Sequence, residues 1–278
     1  MKYSFVYIIF KKLLSYFLDI VYFFRKNTRI HFSGIYESWD SAKKDSLGYD
    51  DKKILKKVKH STSLLLTKKA VYERDGILLK KNDLPHQVLS TVLRASIENK
   101  HNCKVIDFGG SLGSTYYNNR DFLKNIKDLK WIVVEQNNFV KEGNKNFSNK
   151  IINFSNTIEE ASRYLNKPNV IIASGSIQYL PNPYLLLEKI IQTKTDYIVI
   201  DRSPFLIKGK TKLTIQKIPK TIVDCSYPIW LFNETEFKKK FKKKYQEITT
   251  FDALDGVLGY GKLKAHYKGI IYKRIKSS

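Results

Sequence analysis

The stretch Lys104-Val-Ile-Asp107-Phe-Gly109-Gly110-Ser111-Leu-Gly113-Ser114 constrains the chain more than any other. A short apolar run ends in an acid, passes into a glycine-rich turn and continues as a segment of helical character. That order is the first strand, turn and helix of a nucleotide-binding α/β sheet. Glycine permits positive φ and, having no Cβ, lets another group approach the backbone closely. The first N–H groups of the following helix lack partners within the helix and point at whatever lies in the turn. Taken alone, the turn is equally compatible with a tight structural bend.

Downstream the pattern is regular. Candidate strands Val105–Phe108, Trp131–Glu135, Ile151–Phe154, Val170–Ala173 and Tyr197–Asp201 alternate with helical stretches over 115–128, 138–147, 157–165 and 183–192. Thr157-Ile-Glu-Glu160 has the form of a capping box, and Pro181 and Pro183 stand at the start of the fourth helix. The alternation predicts an α/β fold with parallel strands and right-handed crossovers. After Asp201 the rhythm breaks. Residues 202–232 read as a long irregular insertion, Asn233-Glu-Thr-Glu236 caps a helix, and strand-like runs over 246–251 and 267–275 close the chain. Two strands joined without a helix run antiparallel. The expected sheet is therefore seven-stranded and mostly parallel, with an antiparallel C-terminal hairpin.

Residues 27–100 read as a helical cap ahead of the sheet. Gly34-Ile-Tyr-Glu-Ser-Trp-Asp-Ser-Ala42 leads a turn into a helix capped by Ser38 or Asp40, and 54–58, 64–71 and 89–97 carry helical spacing. Tyr36, Glu37, Trp39, Glu73, Arg74, Asp75 and His86 are the polar residues of this region available to line an acceptor site. Residues 3–24 are apolar and aromatic, apart from Ser4, Lys11, Lys12, Ser15 and Asp19, which fall within about 100° of one another on a helical wheel. A cleaved signal peptide is disfavoured by Lys11-Lys12 and by the lack of a small-residue cleavage site. In a spanning helix those lysines would each cost about 2.5–3.5 kcal/mol. An amphipathic helix on a membrane surface or a partner fits the narrow polar stripe best, and packing on the chain's own domain is the alternative. The expected division is 1–26 (amphipathic helix), 27–100 (helical cap) and 101–278 (α/β sheet domain).

At 278 residues the chain is long enough for one sizeable α/β domain plus an appendage. Its net charge of +24 invites a polyanion as partner. The lysines, however, are spread along the whole chain, and asparagine and isoleucine are abundant with them, as an AT-rich coding sequence produces. The densest run, 237–245, places Phe237 and Phe241 inward at i, i+4 and leaves its lysines to solvent. Nucleic acid is thus a disfavoured partner, while an anionic membrane surface stays open. Cys103 and Cys225 form neither a metal-ligand spacing nor a disulfide framework, which points to a cytoplasmic setting, peripheral on the membrane face where 3–24 docks there.

Asp107, Glu135, Ser174 and Asp201 all stand at predicted strand ends, where open α/β sheets bind ligands, and an acid at Glu135 suits ribose hydroxyls. The turn Gly109-Gly110-Ser111-Leu112-Gly113 is not the G-x-G-x-x-G of a pyrophosphate site. With Asp107 it resembles the first motif of class I S-adenosylmethionine-dependent methyltransferases, whose usual middle glycine is here Ser111. Ala173-Ser-Gly-Ser-Ile-Gln178-Tyr179-Leu180-Pro-Asn-Pro183 is similar to their fourth motif, and the terminal hairpin to their antiparallel seventh strand. Seven collinear segments more closely resemble a group of methyltransferase-like proteins associated with bacterial surface-polysaccharide (O-antigen and capsule) gene clusters. They are Gly34–Trp39, Asp107–Ser114, Val134–Gln136, Ile200–Pro204, Leu213–Gln216, Ser226–Pro228 and Tyr267–Gly269. The likeness runs from about residue 32 to the C-terminus and does not cover the first 25 residues.

The resemblance implies a Rossmann-like methyltransferase domain with S-adenosyl-L-methionine as cofactor and no metal. It assigns Asp107, Gly109, Gly110, Ser111 and Gly113 to the methionine part and its surroundings, and Glu135 to the ribose. Gln136, Ser155 and Asn156 would flank the adenine, and Ser174, Gln178 and Tyr179 would border the sulfonium. It implies O-methylation of a surface glycan or a lipid-linked saccharide precursor. Two alternatives stay open: an RNA methyltransferase, against which no RNA-binding module or N/D-P-P-Y/F motif is present, and a non-catalytic binding protein that keeps the fold. Methyl transfer from an activated sulfonium mainly requires positioning of the acceptor and removal of its proton. His266 and Asp201 are the candidate general bases, with Arg202 and Tyr267 beside them in sequence. Imidazole titrates near pH 6.5, whereas an ordinary aspartate is a poor base at neutral pH. A structural ion pair for Asp201 and a surface position for His266 are the simpler alternatives.

Overall fold

The computed structural model describes residues 13, 14, 17, 30–48, 51–80, 85–219 and 225–275. The amphipathic helix expected over 3–24 therefore lies, except for Leu13, Leu14 and Phe17, outside the described residues. In chain order the elements are β1 (His31–Tyr36), α1 (Trp39–Lys44), α2 (Asp51–Leu66), β2 (Tyr72–Arg74), β3 (Ile77–Leu79), α3 (His86–Glu98), β4 (Asn102–Phe108), α4 (Ser114–Leu123), β5 (Asp128–Val134) and α5 (Asn137–Asn146). They continue with β6 (Ile152–Ser155), α6 (Ile158–Leu165), β7 (Val170–Ser174), α7 (Pro183–Gln192), β8 (Tyr197–Leu206), β9 (Lys212–Ile218), β10 (Cys225–Leu231), α8 (Glu234–Lys239), β11 (Tyr245–Leu258) and β12 (Ala265–Arg274).

A seven-stranded sheet runs in the order β11-β12-β8-β7-β4-β5-β6. Its five consecutive strands β8-β7-β4-β5-β6 are parallel, in registers that set Tyr197 beside Val170, Val170 beside Val105, Val105 beside Trp131 and Trp131 beside Ile152. The chain moves outward from β4 to β6, then returns to lay β7 on the other side of β4, which makes β4/β7 the topological switch point. β11 and β12 are sheet neighbours joined over residues 259–264 and so run antiparallel. This is the expected α/β, Rossmann-like architecture: a seven-stranded, mostly parallel sheet with an antiparallel C-terminal pair.

Strands buried on both faces need apolar side chains at successive positions rather than alternate ones, and Val170-Ile-Ile-Ala and Tyr197-Ile-Val-Ile supply them. One face, with Val105, Trp131, Val133, Val170, Ile172, Tyr197 and Val199, shares a core with Val58, Leu65, Val88, Val92, Leu112 and Tyr117 from the preceding helices and turn. Burying each such side chain is worth about 1.5–3 kcal/mol. The helix ends follow the sequence. Thr157 Oγ1 caps α6 by accepting from Glu160 N at 3.2 Å, and Pro183 opens α7. Glu160 reaches back to Asn156 N at 3.3 Å, one residue before the cap.

The chain divides into two compact units. One comprises residues 50–203, 238–253 and 268–278; the other comprises 1–49, 204–237 and 254–267. In the second, β1, β9 and β10 form an antiparallel sheet in the order β1-β9-β10, with Leu213 between Tyr36 and Trp230 and Gln216 between Phe32 and Tyr227. Helix α1, capped by Ser38, buries Ala42 against Leu213 and Ile215. The irregular insertion expected over 202–232 is thereby corrected: it holds the end of β8 and the whole of β9 and β10. Its partner β1 lies in the stretch read as helical, and the hairpin β2–β3 lies there too. Pairing between residues 36 and 213 leaves no local pattern to read. Phe237 and Phe241 are both fully buried, as their spacing predicted.

Within the sheet unit, Gly269 of β12 leaves room for the ring of Phe251, which a Cβ at 269 would strike. Gly269→Ala is expected to lower stability by about 1–3 kcal/mol through overpacking. Urea unfolding measures this, and an unchanged midpoint would show that the ring does not depend on the glycine.

Candidate cofactor site at the carboxyl edge of the sheet

Because β4 to β8 are parallel, their carboxyl ends leave the sheet along one edge. β4 delivers Asp107, β5 is followed by Glu135, and β6 ends at Ser155 before Asn156. β7 ends at Ser174, beside Asp201 of β8 in the register. The cofactor-site residues expected from the sequence all belong to this unit.

The turn after β4 is held from both sides. Gly109 and Gly113 have φ of +73° and +88°, and Ser111 adopts the same left-handed region at +57°. Gly109 N donates to Val134 O at 2.9 Å, and Gly113 N donates to Gly110 O at 2.9 Å. A Cβ on Gly109 would run into Ser176 Cβ, and one on Gly113 would lie 2.5 Å from Ile152 Cδ1. Gly110 is needed for a different reason: its Cβ would lie 2.5–2.8 Å from the Asp107 carboxyl atoms.

Glu135 joins the turn to β5. Its Oε1 accepts from Ser111 N at 3.2 Å and its Oε2 from Gln136 N at 2.9 Å. Burial raises its pKa above the usual range, and the N–H groups of Gln136 and Ser111 pull it back. A carboxylate has about four acceptor sites, so two bonds leave capacity for the paired hydroxyls of a ribose. Asp107 sits differently. It is 1% exposed, and its Oδ2 accepts from Trp131 Nε1–H at 3.3 Å. Burial pushes its pKa up to about 7; the Trp131 and Thr115 donors oppose that rise, and the Glu135 charge adds to it.

On the other side of the switch point, Ser174 Oγ donates to Asp201 Oδ2 at 3.0 Å, and Arg202 N donates to Asp201 Oδ1 at 2.8 Å. Ser176 Oγ donates to Phe108 O at 3.0 Å, tying the turn after β7 to the end of β4. Gln178 lies in a 3-10 turn, Ile177–Tyr179, and its Nε2 donates to Arg202 O at 3.0 Å. Its Oε1 is buried with no hydrogen-bond partner among the described residues. An orphaned acceptor at Gln178 and spare acceptor capacity at Glu135 both fit a cofactor rich in hydroxyl and ammonium donors. Gln136 and Asn156 are exposed, the latter at the start of the α6 cap.

The sequence expectations named several further residues here without their contacts. Arg202, at φ +51°, forms a two-pronged pair with Asp75, with Nη2–Oδ2 at 2.8 Å and Nη1–Oδ1 at 3.2 Å. Asp75-Gly76 is the turn of the β2–β3 hairpin, with φ of +53° and +74°. Asp-Gly between short apolar segments is a hairpin signal that was present to be read. Asn118 of α4 exchanges both amide hydrogen bonds with the Glu73 backbone, at 2.7 and 3.2 Å. Glu73 itself is buried, its Oε1 accepts from Gly76 N at 2.6 Å, and burial raises its pKa. The residues considered for an acceptor site are therefore divided. Glu73, Arg74, Asp75 and His86 lie in the sheet unit, and Tyr36, Glu37 and Trp39 in the other. Asp201 and His266 are divided in the same way, His266 being half-buried on β12 in the second unit.

No family model matches the sequence, and no curated protein does. Among solved structures, the chain is similar to the N-terminal domain of EvdMO1 with SAH bound (TM-score 0.45, 10% identity, covering 82% of this chain and 98% of that one). It is also similar to magnesium protoporphyrin IX methyltransferase from Synechocystis PCC 6803 with bound SAM (0.41, 13%, 81% and 98%). A third is an S-adenosylmethionine-dependent methyltransferase from Clostridium acetobutylicum ATCC 824 (0.43, 10%, 69% and 92%).

Two stability changes follow from the turn. A non-glycine residue in the left-handed region costs about 1–2 kcal/mol, and glycine returns part of that as unfolded-state entropy. Ser111→Gly is expected to stabilise the protein by about 0.5–1 kcal/mol in urea unfolding; destabilisation would show that the serine side chain holds the turn. Burial pushes the Asp107 pKa up to about 7 from about 3.8 for an ordinary aspartate, so the folded state binds more protons between those values. Its contribution is complete below the lower value and is lost as pH rises through the upper one. The stability of wild type relative to Asp107→Asn is expected to fall between pH 5 and 8. A difference independent of pH would place the Asp107 pKa elsewhere.

Proposed function

We propose that this chain transfers a methyl group from S-adenosylmethionine to a hydroxyl of a surface glycan or a lipid-linked saccharide precursor. The observation that carries the donor half of this reading is Glu135. It is an acid beyond the end of β5, bonded to the N–H of Ser111 in the turn that follows β4. The collinear segments from Gly34 to Gly269 support the acceptor half.

The bound cofactor supplies an already activated methyl group. The chain's own work is to hold and orient. Glu135 holds the ribose, Gln136, Ser155 and Asn156 flank the adenine, and Gly109 to Gly113 above Asp107 receive the methionine part. Ser174, Gln178 and Tyr179 border the sulfonium. Asp201 and His266 are the proposed proton acceptors. Both oxygens of Asp201 already accept hydrogen bonds, from Ser174 and Arg202, so its share is to orient its surroundings as much as to take a proton. Among the described residues no helix is long and apolar enough to cross a membrane. We place the protein in the cytoplasm, with residues 3–24 holding it at the membrane face near a lipid-linked acceptor.

Titration calorimetry with S-adenosylhomocysteine and with NAD tests the donor, and binding of NAD alone would overturn the reading. Glu135→Ala removes a charged acceptor of ribose hydroxyls and is expected to weaken S-adenosylhomocysteine about 10- to 100-fold. An unchanged affinity removes Glu135 from the site. Transfer from labelled S-adenosylmethionine to lipid and polysaccharide fractions identifies the acceptor class, and label appearing only in RNA would sink the glycan assignment.

A further inference from the structure

Beneath the turn, an acid and an indole are set against each other inside the protein. Trp131 lies in the middle of β5, between Val105 of β4 and Ile152 of β6, and is 1% exposed. Its ring meets Tyr116 of α4 at 5.7 Å between centroids. Its Nε1–H points at Asp107 Oδ2, and the Asp107 carboxylate fills the space that a side chain at residue 110 would take. The sequence Gly109-Gly110 thus encodes two requirements: positive φ at 109, and room for the Asp107 carboxylate at 110.

We propose that Trp131 is a positioning residue for the cofactor turn: its indole N–H holds the Asp107 carboxylate beneath Gly110, and so sets the pH from which the turn accepts a cationic donor. The proposal rests on the donor reading above. Indole is a donor only. It bonds an ionised carboxylate but accepts nothing from a protonated one, so the contact favours the charged form. The other groups acting on Asp107 are known. The Thr115 hydroxyl on α4 also favours the charged form, Glu135 beyond β5 opposes it, and the neighbouring strand β7, Val-Ile-Ile-Ala-Ser, carries no titratable group. Burial is the largest influence and places the transition near neutrality. S-adenosylmethionine carries a fixed sulfonium charge, which an ionised Asp107 favours, and S-adenosylhomocysteine lacks it.

The test is calorimetric affinity for S-adenosylmethionine between pH 5.5 and 8.5. In the wild type, affinity is expected to rise several-fold through a midpoint near 7. Trp131→Phe keeps an aromatic ring and removes the donor, so the midpoint should move up by about one unit. Asp107→Asn should flatten the profile, and S-adenosylhomocysteine should show a shallower one. A Trp131→Phe protein that binds more weakly at every pH with an unmoved midpoint would make Trp131 merely structural and overturn the proposal. Independently of any ligand, the Trp131 indole N–H resonance of the free wild-type protein should titrate over the same range. A resonance that stays fixed overturns the pairing even where the donor binds. A titrating resonance with no donor binding at any pH overturns the donor reading instead, and with it the role at the turn.

Discussion

Glu135 accepts one backbone hydrogen bond on each carboxylate oxygen, and the carboxyl edge of the sheet depends on where those bonds go. The bond from Ser111 closes the β4 turn against the end of β5. It also keeps Ser111 in a backbone region that costs a non-glycine residue about 1–2 kcal/mol. A hydrogen bond to a charged acceptor contributes about 1.5–3 kcal/mol, so the carboxylate outweighs the strain. A serine can then stand at the middle of the turn without loss of its shape, because Glu135 holds the Ser111 backbone N–H.

The same arrangement recurs on the other side of the switch point. Arg202 is also a non-glycine residue with positive φ, and its N–H is likewise taken by an acid, Asp201, at the point where the β7–β8 pairing ends. Its carbonyl receives Gln178 and its guanidinium grips Asp75 with two parallel bonds. Fork-to-fork pairing fixes orientation as well as distance. Strained backbone persists only where the surroundings over-determine it, and here the preceding residue and two separate segments fix one residue. The β2–β3 hairpin, which the alternating pattern does not require, is in this way joined to the middle of β8.

What could be read from the sequence is what repeats or acts locally. The order of strands and helices from 104 to 201, the Thr157 cap, the Pro183 start and the glycine turn all follow from periods of two and 3.6 and from the preferences of single residues. Their boundaries in the structure differ by a few residues. The sheet β1-β9-β10 was not legible, because Tyr36 meets Leu213 and Phe32 meets Gln216 only after the chain has folded. Tyr36, Leu213 and Gln216 lie in segments already marked out by resemblance, Gly34–Trp39 and Leu213–Gln216, yet resemblance alone gave no reason for them to be adjacent. The pairing in β9 supplies it.

The site divides along the same line. Strand-end residues could be listed because a parallel sheet delivers all its carboxyl ends to one edge. What each side chain does there depends on its partners across the sheet. Asp107 and Glu135 are both acids at the ends of neighbouring strands, and by position alone they have the same claim on a ligand. Trp131 decides between them. Its donor, two positions inward on the register from Val133, draws Asp107 under the turn, while Glu135 is met only by backbone N–H groups and retains capacity toward solvent. A tryptophan in a predicted apolar strand reads as core, and by burial it is core. Its single polar atom nonetheless separates an acid buried under the turn from an acid that keeps free acceptor capacity at the sheet edge.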